Sequence, residues 1–583
     1  MNRRHFLSNV SVLSLAHLQE SAAGTPQERT DAVLPHIATD RLPLVERYQL
    51  TRNRVIHGGF PAYTPDFLLD DIVNSGRRRF TEFSGDVSGR WIGALSVSSA
   101  AFGDRFPQLD DVVARVVGHQ QPEGYFGKQF NAENPGDNDL ALLWGNGRLL
   151  VGLMEYHALT RNVEVLRAAV RLGEFLLAIG PVFNSKKMAD EFGASHFSSS
   201  YICWTQQTEG LAALYEATAD RRFAALCEAI SERMERRPGD HVHGYLCSLR
   251  GTLDLYRATH NPVLLKRVEE AWSDIVESGD VLLTGGVPEA WSPKKLRTEG
   301  CAECDWLRLN LGLWRATADP RYIEMAERVY FNDFCQNQFA TGDFGHAELT
   351  NLGVPGTVAV KAWWCCTLHG MHAFSDIRRQ VLIRSGSDVL YSLPLDAQVQ
   401  DDDLELKAYS DLAVTGTTKI VVSKAPPKQT LTVRRPSWAD VLTLRVNDVH
   451  KNGNQTIEIA AGDRIDIKYD LTERRLQAGS IGRLAKRSAF FVGPWLLGSS
   501  SLINVNYFNE LHAQNQIDPL LGPPNNPELS SPFAVPIAAR SASYLPAEYP
   551  TQPARTELRA VAEQTAGSPA RWEMAFATIP SRG

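Results

Sequence analysis

Long apolar runs are missing from this chain of 583 residues. No stretch approaches the roughly 20 consecutive apolar residues that cross a bilayer as a helix, so a soluble mature protein is expected. A dominant charge is missing too. Sixty basic residues face 67 acidic ones, a formal charge of −7, which argues against a protein that coats nucleic acid and leaves room only for a local basic patch. Cysteine is scarce and irregularly spaced. The eight, at positions 203, 227, 247, 301, 304, 335, 365 and 366, form no disulfide framework. What remains is ordinary globular material, 43% hydrophobic and 22% charged, enough for two to four domains. Twelve tryptophans and sixteen tyrosines suit clefts that stack on sugar rings, although most such residues serve packing.

The N-terminus carries Arg3-Arg4-His5-Phe6-Leu7, a short interrupted apolar stretch, and Ser21-Ala22-Ala23-Gly24. This pattern fits a twin-arginine export signal over residues 1–24, and so a periplasmic or secreted protein; the plain alternative is a basic N-terminus. Export of that kind moves proteins already folded. Reduced cysteines would then capture a metal before meeting an oxidising compartment. Cys203, Cys227 and Cys247 lie in helix-like apolar surroundings and read as buried small hydrophobes.

Four segments resemble one another, around Thr160-Arg-Asn162, Thr218-Ala-Asp220, Thr259-His-Asn261 and Thr317-Ala-Asp319. Helical periodicity flanks each, as in Leu211, Leu214 and Tyr215 before and Phe223, Leu226, Cys227 and Ile230 after. The turn ends one helix and caps the next, with Pro262 and Pro320 in the first helical turn. Residues 25–378 therefore read as an array of helical hairpins, with a closed α/α toroid favoured over an open superhelix. Such a toroid opens at one end into a polar, aromatic-lined pocket. After residue 378 period-two alternation takes over, in runs such as 388–394, 404–409, 419–422, 430–434, 442–447 and 457–459. Residues 379–475 are expected to form an antiparallel β-sandwich. Residues 476–583 are expected to form a second β-rich region with an irregular tail. The fold class is mainly α with C-terminal β.

The most informative motif is the adjacent pair Cys365-Cys366, within Trp363-Trp364-Cys365-Cys366-Thr367-Leu368-His369-Gly370. Neighbouring Cα atoms sit about 3.8 Å apart, and a disulfide wants about 5.5 Å. The pair is better suited to one soft metal, or to a ligand beside a nucleophile. A second cluster, Thr298-Glu299-Gly300-Cys301-Ala302-Glu303-Cys304-Asp305, adds thiols and carboxylates of the kind that bind zinc.

Gly285-Gly286-Val287-Pro288-Glu289, then Glu299-Gly300-Cys301, then Cys365-Cys366, in this order, resemble glycoside hydrolase family 127, the β-L-arabinofuranosidase-like group. The resemblance spans roughly residues 40–500. It implies an (α/α)6 barrel followed by β-sandwich domains, and a retaining hydrolase acting on an oligosaccharide or glycoconjugate. It also implies roles by position. Cys365 would be the nucleophile; Glu299, Cys301, Cys365 and Cys366 would hold Zn2+; Glu289 would be the general acid/base, with Glu303 in reserve. Cys304 is a competing ligand, and Asp305 is expected to cap or pair. His241 aligns with a sugar-contacting histidine. Trp144 and Asn146 stand where better-known members carry a histidine-containing segment, so they are candidate sugar contacts that leave the sugar itself open. His369 is a further pocket candidate, and His372 is expected to be structural. Two other readings keep the scaffold: a polysaccharide lyase or epimerase, and a non-catalytic carbohydrate-binding protein with a structural zinc.

Overall fold

The four repeated turns are built alike. Thr160, Thr218, Thr259 and Thr317 each donate a hydroxyl hydrogen bond to the carbonyl four residues back. The next residue, Arg161, Ala219, His260 or Ala318, takes a left-handed conformation with φ between 56° and 59°. The Asn or Asp that follows accepts backbone N–H bonds at the start of the next helix. One short segment thus closes one helix and caps another, satisfying groups that both helix ends leave orphaned.

In this computed structural model the described residues are 44–57, 63–73, 82–193, 200–291, 297–354, 361–451, 453, 455–479, 487–500, 514–517, 533–539, 553–563 and 571–577. The proposed export segment, residues 1–24, lies outside them. Helix Asp86–Phe102 packs on Asp137–Thr160, which packs on Thr208–Thr218. Contact continues through Val242–Thr259, Gly300–Thr317 and Trp364–Val381, and the last of these returns to Asp86–Phe102. These six helices are buried on nearly every side, Gly300–Thr317 for example along almost its whole length. Helices Val163–Phe183, Arg221–Glu232, Pro262–Glu277 and Pro320–Val329 each lie against the inner helix before them. They bury one face only, as Leu264, Val268, Trp272 and Ile275 do in Pro262–Glu277. No helix among the described residues is long and apolar enough to cross a membrane.

A ribbon of short pairings runs across the starts of three inner helices. His241 bridges Ala290, and Pro288 bridges Thr298. Glu299 pairs with His346, and His346 with Lys361. The chain enters helices at Val242, Gly300 and Trp364 immediately after these pairings. Side chains far apart in sequence are brought side by side this way.

Strands follow Val381. A six-stranded sheet takes in Ala397–Gln400, Glu405–Asp411, Thr417–Lys424, Leu442–Val446, Val449–His450 and Arg464–Tyr469; a four-stranded one takes in Leu382–Ser385, Asp388–Tyr391, Thr430–Val433 and Thr456–Glu458. The all-antiparallel expectation needs one correction, because Thr430–Val433 runs parallel to Asp388–Tyr391. Between them the chain crosses to the other sheet and back, and only such a crossover brings a strand home in the same direction. A third sheet includes Glu473–Gln477, Arg487–Val492, Trp495–Ser500, Phe533–Ala539 and Pro553–Ala560. The strands are bolted to the helices by buried polar contacts. Arg434 and Trp438 donate to Glu327 at 2.6 and 2.9 Å, and Asn332 bonds Pro494 O and Leu496 N.

Candidate active site

Glu299 ends the short strand Thr298–Glu299, and Cys301 lies in the first turn of the helix that begins at Gly300. Cys365 and Cys366 lie in the first turn of Trp364–Val381. A Cβ on Gly300 would come within 3.0 Å of Cys366 Cβ, so glycine lets the two helix starts close on each other. The sulfurs of Cys301 and Cys366 are 3.7 Å apart, and those of Cys365 and Cys366 3.9 Å. With a Glu299 oxygen they form a set lying within 4.8 Å of one another, all buried. Burial pushes all three thiols up. At Cys365 hydrogen bonds from Cys301 and Cys366, together with the charge of Arg90, outweigh burial and hold it well below the usual thiol range. Cys301 and Cys366 stay well above it. One sulfur carries the charge and two support it, at helix N-termini that favour an anion.

Glu299 is held from two sides, by His241 Nε2 at 3.1 Å and His346 Nε2 at 3.5 Å. Burial alone would raise its carboxyl, and these imidazoles hold it well below the usual range instead. Glu289 enters from the Gly285-Gly286 turn. Gly285 has φ 89°, and a Cβ on Gly286 would collide with the Asp333 carboxylate. Its backbone is pinned on both sides, by Val242 N to Glu289 O at 2.9 Å and Glu289 N to Arg297 O at 2.8 Å. Its carboxylate, 1% exposed, forms a two-pronged pair with Arg297, which is 40% exposed.

Deeper along the ring lies a second polar cluster to which all six inner helices contribute. Arg90 is anchored by Asp86 at 2.7 Å. It donates to His243 Nε2 at 2.9 Å, reaches His369 Nε2 at 3.1 Å, and lies 4.0 Å from Cys301 Sγ. His243 Nδ1 bonds Asp305. Arg250 links Asp305 to Glu209 at 2.6 Å each. Arg148 joins Glu209 to Cys247 Sγ at 3.0 and 3.2 Å, and Arg308 joins Asp376 at 2.7 Å. Four guanidiniums therefore meet four carboxylates away from water, the arrangement in which buried charge is tolerated.

A family model described as the β-L-arabinofuranosidase, GH127 catalytic domain matches residues 17–378. The chain belongs to the GH127 family. It is a β-L-arabinofuranosidase-like glycoside hydrolase. Among solved structures, Ara127N, a GH127 β-L-arabinofuranosidase from Geobacillus stearothermophilus T6, is 15% identical with a TM-score of 0.70, over 93% of this chain and 100% of that one. The GH127 β-arabinofuranosidase BT3674 is 16% identical with a TM-score of 0.71, over 94% and 97%. A further structure described as a glycoside hydrolase is 18% identical with a TM-score of 0.63, over 86% and 95%. At these identities the likeness is one of fold. No curated protein matches this chain.

The donor set of this GH127 enzyme suits a metal. A tetrahedron with zinc–sulfur arms of about 2.3 Å has edges of about 3.8 Å, and the observed sulfur separations of 3.7 and 3.9 Å sit at that value. Three sulfurs and one carboxylate oxygen are the donors soft divalent ions take.

The structure brings Glu299, Cys301, Cys365, Cys366 and His241 together. Trp144 stands beside them, its ring edge-on to His241 and His243 and its Nε1 bonded to Asp86 at 3.1 Å. Asn146 needs correction as a sugar contact. Its amide is fully buried and spent on backbone, accepting from Phe126 N and donating to Ser84 O, Phe126 O and Leu142 O. It braces the segments around the pocket wall. His369 likewise turns inward to Arg90 and Asp305. Cys247 is no inert hydrophobe, since it bonds Arg148 and Asp305. Cys304 is outside the thiol set. Glu303 is fully buried, held well above the usual carboxyl range by burial and by Asp333. His372 is structural, bonded to Leu368 O and Glu155. Sequence reasoning missed Arg90, Arg297 and His346. Arg297 adjoins the Thr298-Glu299-Gly300-Cys301 motif; nothing local marks the other two.

Proposed function

We propose that this chain is a retaining, β-L-arabinofuranosidase-like hydrolase with a zinc-bound cysteine nucleophile, acting on plant-type glycans. The observation that carries the reading is the buried set of three thiols and a carboxylate, Glu299, Cys301, Cys365 and Cys366, gathered within 4.8 Å where two helices begin. Glu299, Cys301, Cys365 and Cys366 would hold the ion. Bound there, zinc would supply the Lewis acidity that keeps sulfur ionised near neutral pH.

The chain's own groups perform two displacements. Cys365 Sγ attacks the anomeric carbon, the glycosidic C–O bond breaks, and Glu289 gives its proton to the leaving oxygen. Glu289 then takes a proton from water. The water oxygen attacks the same carbon, the C–S bond breaks, and the thiolate returns. Two inversions give retention. Arg297 orients Glu289 and must release one prong of the pair for the carboxyl to carry a proton. His241 and Trp144 bound the sugar's side of the site, His241 also fixing Glu299.

The scaffold reading belongs to the same proposal. The closed sequence of six inner helices with outer partners supports an (α/α)6 barrel over residues 25–378. The six- and four-stranded sheets, whose buried residues share one core, support a β-sandwich over 379–475, with a second β-rich region beyond. The Arg3-Arg4 motif supports export to the periplasm or outside the cell.

Purified protein should hold about one zinc per chain and cleave an aryl β-L-arabinofuranoside with retention. Cys365→Ser should show no turnover while keeping the wild-type circular dichroism spectrum. A fully active Cys365→Ser enzyme would remove the nucleophile from this account.

A further inference from the structure

We propose that Arg90 is the fixed counter-charge of the thiolate centre, a positioning residue that keeps the metal-loaded site stable and correctly set. The inference rests on the thiolate reading of that centre. Three thiolates and a carboxylate bring four negative charges, and a divalent ion offsets two. A buried surplus of that size needs cations nearby. His241 stands against Glu299. On the side of the sulfurs, Arg90 Nη1 lies 4.0 Å from Cys301 Sγ, with a buried guanidinium.

Its anchoring shows why this arginine is a fixture rather than a mobile side chain. Nε is held by Asp86 one turn earlier on the same helix, Nη2 by His243 Nε2, and Nη1 by the His369 ring. The planar fork is engaged on three sides, and what is left of it faces Cys301. Lysine has no such fork and could not satisfy all these acceptors at once.

The same contacts decide what the neighbouring group of His243, Cys247, Asp305 and His369 does. Its ligand atoms lie within 4.8 Å of one another, so by composition it is a second metal site. Hydrogen bonding argues otherwise. Arg90 can only donate, so His243 Nε2 must present its lone pair; the ring proton is then on Nδ1, donated to Asp305. A metal on Nδ1 needs the opposite tautomer. Cys247 and Asp305 already accept from Arg148 and Arg250. The group is the cradle of Arg90, and the metal belongs at the thiolates.

The test compares wild type, Arg90→Met and Arg90→Lys, measuring zinc per chain, zinc affinity by chelator competition, and kcat and KM on an aryl glycoside. Wild type should hold one zinc. Arg90→Met should bind it at least tenfold more weakly and lose kcat more than KM rises, and Arg90→Lys should recover part of both. If Arg90→Met does not fold, Asp86→Asn, which keeps the charge and removes its anchor, should weaken zinc two- to fivefold. Unchanged zinc affinity in whichever of these variants folds overturns the proposal alone. Wild type without zinc overturns both the proposal and the reading of the site. Two zinc ions per chain, one of them lost in Cys247→Ser, would make the cradle a metal site and overturn the proposal.

Discussion

Two clusters of the same residue types lie side by side in this protein, and they differ in what their donor atoms already hold. Glu299, Cys301, Cys365 and Cys366 contact one another and two imidazoles. His243, Cys247, Asp305 and His369 are equally compact and equally buried, yet four arginines donate into them. An inventory of ligands therefore does not identify a metal centre. Competition for the lone pairs does. Where several guanidiniums have taken them at close range, the cluster is an ion network that shapes its neighbour; where the sulfurs meet weak S–H donors and a single guanidinium at 4.0 Å, a metal can displace the protons.

The largest contrast should come from one residue in each cluster. Cys301→Ala removes a soft ligand and is expected to release the metal and lower kcat/KM by roughly a thousandfold or more, read by metal analysis and aryl glycoside turnover. Asp305→Asn should do the opposite. It strips the charge that faces Arg250 and His243, costing about 3 to 5 kcal/mol of stability in urea unfolding, while zinc remains bound. Zinc loss in Asp305→Asn would erase the distinction between the clusters.

A pH experiment probes the packing under the Gly285-Gly286 turn that carries Glu289. Burial raises the Asp333 carboxyl to about 6, against an ordinary value near 4. A raised folded-state value means that its share of stability is fully present below about pH 4 and is lost as pH rises through 6, about 3 kcal/mol in all. Asp333→Asn should flatten that part of the stability profile between pH 4 and 7; an unchanged slope in the variant would show that another group sets it. The smallest effect is expected for Cys247→Ala. Losing its contacts to Arg148 and Asp305 should cost about 1 to 2 kcal/mol in the same unfolding measurement, with metal content unchanged.

Much of the fold was legible because it is locally encoded. The Thr-x-Asn/Asp turns name their own caps within three residues, and the outer helices show one apolar face. In the β-region the runs at 419–422, 430–434 and 442–447 fell within or across observed strands, but Arg464–Tyr469 was passed over despite its alternation. The parallel pairing of Thr430–Val433 was not legible, since direction in a sheet depends on where the intervening chain travels. In the site, Glu299, Cys301 and Cys365-Cys366 stood out because unusual residues sit next to one another. Asn146 misled because a polar side chain in a Gly-rich stretch of helix looks alike whether it faces a sugar or a loop backbone.

By itself the sequence determined the helical hairpins, the change to strands near residue 380, and the soft-ligand motifs, all of which depend on spacing within a turn or two. Tertiary structure alone decided the rest: that Arg297 grips Glu289, that His346 joins His241 on Glu299, and that Arg90 stands behind the sulfurs. A buried charge has no preferred partner until another helix presents one. Desolvation makes the pairing obligatory without saying in advance which residue, dozens or hundreds of positions away, will satisfy it.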